Sequence, residues 1–306
     1  MNRFACMALG LVVMAAGCGD DGGGDPVRER GFTTPMTVTK AYDEVGGVWQ
    51  EQGNANFGCL NTATDDTATT LEVTLTGTVE DFQTGNAVPG ATVTIFDDVE
   101  VSNPFATVTS DENGDYTATI PAGTTRFGFK MVAEGQMETL LLNQYLDPNT
   151  AAQSLTIGSV SELTANALPA FIGVTRTAGR GVLAGAMRDC DNNEVGGAIA
   201  TVSSVSGSPE HLDATECTEE KPCTSSYYFS AGSTSLPVRH SQQAHTNFDG
   251  LFMTIELPPN PTSYLQVWGF TGDQDPASDD LTLLAEIASP VLADVMVTFS
   301  LEPLRN

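Results

Sequence analysis

From Leu71 onward the apolar residues recur at every second position. Leu71, Val73, Leu75 and Val79 alternate with Glu72, Thr74, Thr76, Thr78 and Glu80, so the segment has one inward and one outward face, as a half-buried antiparallel strand requires. The same alternation returns with Val93 and Ile95, with Tyr116, Ala118 and Ile120, with Phe127, Phe129 and Met131, and with Val295, Val297, Phe299 and Leu301. Turn residues separate these runs at Thr84-Gly85-Asn86, Pro89-Gly90, Glu112-Asn113-Gly114 and Pro121-Ala122-Gly123,. Asn113-Gly114 predicts a tight hairpin, because both residues tolerate positive φ. The chain is therefore expected to be all-β.

Aligned against itself, the sequence shows a duplication. Gly77-Thr78-Val79-Glu80-Asp81 matches Gly185-Ala186-Met187-Arg188-Asp189, and Val88-Pro89-Gly90-Ala91 matches Val195-Gly196-Gly197-Ala198. Ser110 to Tyr116 matches Thr246 to Phe252, and Ile120-Pro121 matches Leu257-Pro258. Two related domains follow, over 71–158 and 181–302, the second with an insertion over 203–243. Between them, in 159–180, Ser159-Val160-Ser161-Glu162 has capping-box spacing before Leu163, Ala165, Ala167 and Leu168, which predicts one short connecting helix that Pro169 ends or kinks,. Thr175 to Gly181 reads as the linker. Residues 36–70 read as an N-terminal extension in which Val48 and Trp49 pack on the first domain, with irregular polar structure from Asn54 to Thr70.

The N-terminus fixes a compartment. Arg3, the apolar run Phe4 to Ala15 and Ala15-Ala16-Gly17-Cys18 resemble a bacterial lipoprotein signal, 1–17, ending in a lipobox,. The resemblance implies cleavage before Cys18, lipidation of its sulfur and acylation of its freed amine. The apolar stretch is shorter than the roughly 20 residues a bilayer crossing needs. Gly and Asp residues follow it at once, so 18–35 suits a solvated tether. Two or more acyl chains anchor a protein stably where one does not. Gly19 stands where an aspartate would resemble an inner-membrane retention signal, so an outer-membrane address is expected, the domains facing the periplasm or the exterior. The formal charge of −27 becomes −28 once Arg3 leaves with the signal. Twelve basic residues against 39 acidic ones disfavour nucleic-acid binding,, and scattered carboxylates read as a solvated face rather than a Ca²⁺ site.

The first repeat, Leu75 to Met131, resembles the carboxypeptidase regulatory-like family, a transthyretin-type β-sandwich. The residues that carry the resemblance are Gly77, Val79, Asp81, Thr84, Gly85, Val88, Pro89, Gly90, Ala91, Val93, Ser110, Asp111, Gly114, Tyr116, Pro121 and Gly123. It implies two transthyretin-like sandwich domains in tandem. These positions are hairpin glycines, a φ-fixing proline and an aromatic core anchor, which encode architecture and no chemistry. The H-x-x-E zinc motif of metallocarboxypeptidase catalytic domains is absent after His211, His240 and His245, and so is the Tyr-Arg-Gly-Ser ending of transthyretin-like hydrolases. The resemblance therefore implies a non-catalytic protein without a cofactor.

With Cys6 in the signal and Cys18 lipidated, Cys59, Cys190, Cys217 and Cys223 remain, and four cysteines allow three pairings,. Cys217 and Cys223 bracket a polar loop that a local bridge could close, which leaves Cys59 with Cys190 by elimination. A buried thiol is the ordinary alternative for Cys190. A Cys₂His₂ zinc site using Cys217 and Cys223 is disfavoured, because export favours disulfides and His240 and His245 are poorly spaced as co-ligands. No G-x-S-x-G elbow accompanies the histidines. Trp268, Tyr227 and Tyr228 are the candidate ligand-binding residues. Exposed rings would stack on pyranose faces, and one of the adjacent tyrosines should point outward, although core packing is the commoner use of strand aromatics. Function reads as a cell-envelope lipoprotein in a binding or structural role, with a carbohydrate-binding surface as the alternative. Partners are the membrane, through the anchor, and a protein or polysaccharide.

Overall fold

The computed structural model describes residues 37–64, 66–208, 226–230, 236–239, 242–276 and 281–306. Strands β1 (Lys40–Val45) and β2 (Val48–Asn54) form an N-terminal hairpin. The first repeat supplies β3 (Val73–Asp81), β4 (Thr92–Asp97), β5 (Pro104–Thr109), β6 (Asp115–Ile120), β7 (Arg126–Val132) and β8 (Glu138–Tyr145), then short β9 (Ala152–Ser154) and β10 (Ile157–Ser159). After α1 (Glu162–Phe171), the second repeat runs through β11 (Gly181–Met187), β12 (Glu194–Gly196), β13 (Ile199–Ser203), β14 (Ser226–Phe229) and β15 (Pro237–Val238). It continues through β16 (Leu251–Leu257), β17 (Asn260–Gly269), β18 (Thr282–Val291) and β19 (Val295–Leu301).

Each repeat is a β-sandwich built on one plan. In the first, β3 pairs antiparallel with β6 and parallel with β9 and β10, while β4, β7 and β8 form the facing layer with β5 at its edge. In the second, β11 pairs antiparallel with β16 and parallel with β19, and β13, β17 and β18 form the facing layer. The alternation read from the sequence is the packing that results: Val73, Leu75, Val79, Val93, Ile95, Tyr116, Ile120, Phe127, Phe129 and Met131 all point into the first core. Leu71, which the same pattern placed on a strand, precedes β3 and is exposed.

The two sandwiches are joined edge to edge. β19 lies between β8 and β11 and runs parallel to both, so among the described residues one nine-stranded sheet, β15-β14-β16-β11-β19-β8-β7-β4-β5, crosses both repeats. Val295, Val297, Phe299 and Leu301 are accordingly buried at its centre.

Four local expectations are corrected. Asn113-Gly114 does not close a hairpin within one sheet: the turn carries the chain from β5 in the nine-stranded sheet to β6 in the other layer, and only Gly114 has positive φ, +80°. Asp111 Oδ1 accepts the backbone N–H groups of Asn113 and Asp115 and so shapes the turn. The helix cap is Ser161, whose Oγ accepts the Thr164 N–H, because Ser159 is fully buried as the last residue of β10. Pro169 lies inside α1, whose helical span reaches Phe171. Finally, the N-terminal hairpin packs on the second repeat, with β1 pairing β12 and Trp49 stacked on Phe248 at 5.4 Å. The chain returns to the first repeat only near Asp66 and Thr69, which bond Arg126 and Thr124.

Candidate functional site

Cys18, Cys217, Cys223, His211 and His240 lie outside the described residues. Cys59 and Cys190 are joined by a disulfide with a Cα–Cα distance of 5.9 Å. The turn that contains Cys190 is tied to the N-terminal segment beside that bridge. Buried Asp189 accepts the Asp191 and Asn193 N–H groups on Oδ1 and the Asn56 N–H on Oδ2, so one carboxylate both closes its own turn and grips the N-terminal segment.

The candidate stacking residues are buried. Trp268 is 9% exposed and its Nε1 donates to Gln266 Oε1. Tyr227 and Tyr228 do point to opposite faces of β14, yet both faces are covered. Tyr227, 6% exposed, packs in the cluster that includes Ala165 of α1, and Tyr228, 1% exposed, packs between the two sheets with its hydroxyl accepting the Ala200 N–H. Burial pushes the Tyr228 phenol well above its ordinary pKa. Trp268, on β17, and Tyr227 and Tyr228, on β14, therefore present no exposed ring face, because packing covers both faces of β14 and the Trp268 ring is buried with its Nε1 bonded.

Two surfaces offer polar or aromatic chemistry instead. At the junction of the repeats a cleft of about 530 Å³ is lined by Asp66, Gln144, Tyr145, Arg188, Asn192, Glu302 and Arg305, beside the disulfide. Arg126 anchors this junction, donating to Asp66 and, across the repeats, to Glu302 at 2.8 Å. Burial opposes its charge, but the two carboxylates outweigh burial and its pKa is raised. Arg188 pairs with Glu194 at 3.1 Å. Burial raises the Glu194 pKa against the lowering effect of Arg188. With guanidinium and carboxylate groups both present, the cleft suits a polar ligand. It contains neither a histidine nor a free thiol among its lining residues.

The second surface is the N-terminal hairpin, where half-buried Tyr42 and Trp49 flank the half-buried ring of Phe248. Cross-strand pairing of Tyr42 with Glu51 and of Glu44 with Trp49 puts all four side chains on one face,. The sequence signal was available: Val45-Gly46-Gly47-Val48 is a two-residue hairpin motif, and both glycines have positive φ,. Among the described residues no group of three or more His, Cys, Asp or Glu is placed to hold a metal ion. None of their helices is long and apolar enough to cross a membrane.

The fold is one of tandem β-sandwiches, and the family comparison covers part of the first. Residues 74–137 match the carboxypeptidase regulatory-like domain family, so this stretch carries such a domain. No curated protein matches the chain. Among solved structures, the chain is similar to the Bacillus anthracis TIE protein, at 12% identity and a TM-score of 0.25 over 76% of this chain and 34% of that one, about a third of its length. It is similar to shaft pilin SpaA of Lactobacillus rhamnosus GG, at 12% identity and a TM-score of 0.23 over 77% and 98% of the two chains. The streptococcal ancillary pilin aligns at 17% identity and a TM-score of 0.22, over 79% and 64%. Similarity at this level says nothing about activity.

Proposed function

We propose that the protein is a lipid-anchored, non-catalytic binding protein of the cell envelope, acylated on Cys18 and held at the outer membrane. The observation that carries this reading is the Cys59–Cys190 disulfide. Such bridges persist in oxidising compartments, and this one supports the export that the lipobox implies. The fused sandwiches act as a rigid scaffold, and the cleft at their junction receives the polar partner. Cys18→Ser is expected to abolish acyl labelling, and globomycin, which blocks cleavage and not lipidation of the sulfur, is expected to leave a larger, still acyl-labelled precursor. A Cys18→Ser protein that still takes up acyl label overturns the anchor.

A second reading, polysaccharide binding, is favoured by the stacking of Trp49 on Phe248, which holds the indole rigidly beside Tyr42 and Glu51. Glycan-array binding lost on Trp49→Ala would support it. Binding that survives Trp49→Ala, or no binding at all, removes it.

A further inference from the structure

Helix α1 is apolar on two sides. Ala165, Pro169 and Ile172 pack inward, with Ala165 and Ile172 in the cluster of Met137, Val182 and Ile255. On the opposite side Leu163 is 81% exposed and Phe171 57%, with Ala167 and Ala170 also exposed. A surface helix ordinarily turns a polar face to water. Phe82, 54% exposed, extends the same patch: its N–H donates to Ser159 O at 2.7 Å, and the neighbouring Gln83 accepts from Thr164 Oγ1 in the first turn of α1.

We propose that this face lies on the phospholipid surface that carries the protein's anchor, with Leu163, Phe171 and Phe82 entering the headgroup boundary. The proposal rests on the acylation of Cys18 proposed above. Charge selects the occupant. The chain carries −27, so most of its surface is repelled by an anionic membrane. Around α1, however, cations relieve part of that repulsion: Arg176 bonds Asn166 of the helix and pairs with Asp294, and the Arg239 guanidinium lies against Gly173 at the helix end. Against them stand Glu162, exposed Glu134 beside the Gly135 carbonyl that accepts the Glu162 N–H, and Glu80 two residues before Phe82. The apolar face therefore meets the bilayer with that repulsion reduced, not removed. Reach permits it: the stretch from Cys18 to Val38 could span at most about 70 Å fully extended, twice the length of a typical sandwich strand or more.

The test uses the acylated full chain in vesicles of phosphatidylethanolamine and phosphatidylglycerol whose acyl chains are brominated. Leu163→Trp places a quenchable indole on the patch above the background of Trp49 and Trp268. Interfacial burial of about 5–10 Å predicts quenching roughly twofold greater than in the wild type. Phe171→Trp repeats the measurement at the other end of the helix if Leu163→Trp fails to fold. Quenching no greater than wild type in protein that co-floats with the vesicles overturns the docking and leaves the anchor standing. Failure of the wild type to co-float overturns the anchor and the docking with it. A dimer in solution that Leu163→Glu with Phe171→Glu converts to monomer, with quenching unchanged from wild type, assigns the face to self-association instead.

Discussion

Ser110 and Thr246 make the same two hydrogen bonds in the two repeats. Ser110 Oγ donates to the Val88 carbonyl at 2.8 Å and accepts the Ala91 N–H at 2.9 Å; Thr246 Oγ1 donates to Val195 at 2.7 Å and accepts from Ala198 at 2.9 Å. Backbone bonds repeat the match, with Gly90 N–H on Ser110 O and Gly197 N–H on Thr246 O. Both hydroxyls are buried, and each satisfies one donor and one acceptor that strand pairing leaves over. Ser110→Ala and Thr246→Ala should each cost about 1–3 kcal/mol, the penalty for orphaning buried backbone groups. Ser110→Thr should cost less. Urea unfolding checks this, and an alanine variant as stable as wild type would show that water replaces the hydroxyl.

Gly114 and Gly250 are a second matched pair, constrained more tightly. Their φ values are +80° and +63°, and a Cβ would stand 2.5 Å from Val79 O in one and 2.6 Å from Met187 O in the other. Gly114→Ala and Gly250→Ala therefore combine left-handed strain with a backbone clash and should cost roughly 2–4 kcal/mol. Gly123 also has positive φ, +90°, but open space around it. Gly123→Ala should cost only about 1–2 kcal/mol. Equal losses at all three sites would mean that conformation alone decides.

These pairs explain what was legible in the sequence. Local chemistry leaves a pattern in Gly77, Asp81, Gly90, Ser110 and Gly114, and the counterparts Gly185, Asp189, Gly197, Thr246 and Gly250 keep the same residue types in the same order, with the insertion lengthening the gap before Thr246. Asp81 Oδ1 accepts the Gln83 and Thr84 N–H groups much as Asp189 Oδ1 accepts those of Asp191 and Asn193. The parallel pairing of β19 with β8 joins residues about 158 positions apart, as in the bond from Thr298 Oγ1 to Leu140 O, and no local pattern encodes such a partner. The burial of Tyr227 and Tyr228 follows from that same non-local layering. Alternation says which residues share a face but not whether a second layer covers it. Ser159 and Ser161 could equally have capped α1 by residue type; the pairing of β10 with β3 decided between them.

The Cys59–Cys190 bridge closes a loop of sequence separation 131, and chain-entropy arguments put its contribution near 5 kcal/mol at most. Reduction, or Cys59→Ser with Cys190→Ser, should lower the unfolding midpoint and speed hydrogen exchange in β1 and β2 before the sandwich cores respond. The hairpin would then depend on β12, on the Asp189–Asn56 bond and on the Trp49–Phe248 stack. Midpoints equal with and without reductant would show that the bridge constrains nothing.

Asp98 sets the expected response to pH. Burial raises its pKa, Arg126 opposes that rise, and Asp97, Asp66 and Glu100 add to it. Its Oδ1 is buried without a hydrogen-bond partner among the described residues. A carboxyl whose folded pKa lies above its unfolded value binds protons more tightly in the folded state. Its contribution is therefore fully present below the unfolded value near 4 and is lost as pH rises through the raised folded value. Burial gives Glu194 the same sign, so both groups should make the protein less stable at pH 7 than at pH 5. Asp98→Asn removes one of them without straining the backbone, since asparagine tolerates the φ of +43° found there,. The variant should gain up to about 1 kcal/mol at neutral pH and show a shallower fall in stability between pH 4 and 7. Urea titrations of both proteins across that range decide it: an Asp98→Asn protein less stable than wild type at pH 7 would mean that the attraction to Arg126 outweighs the cost of burying the charge.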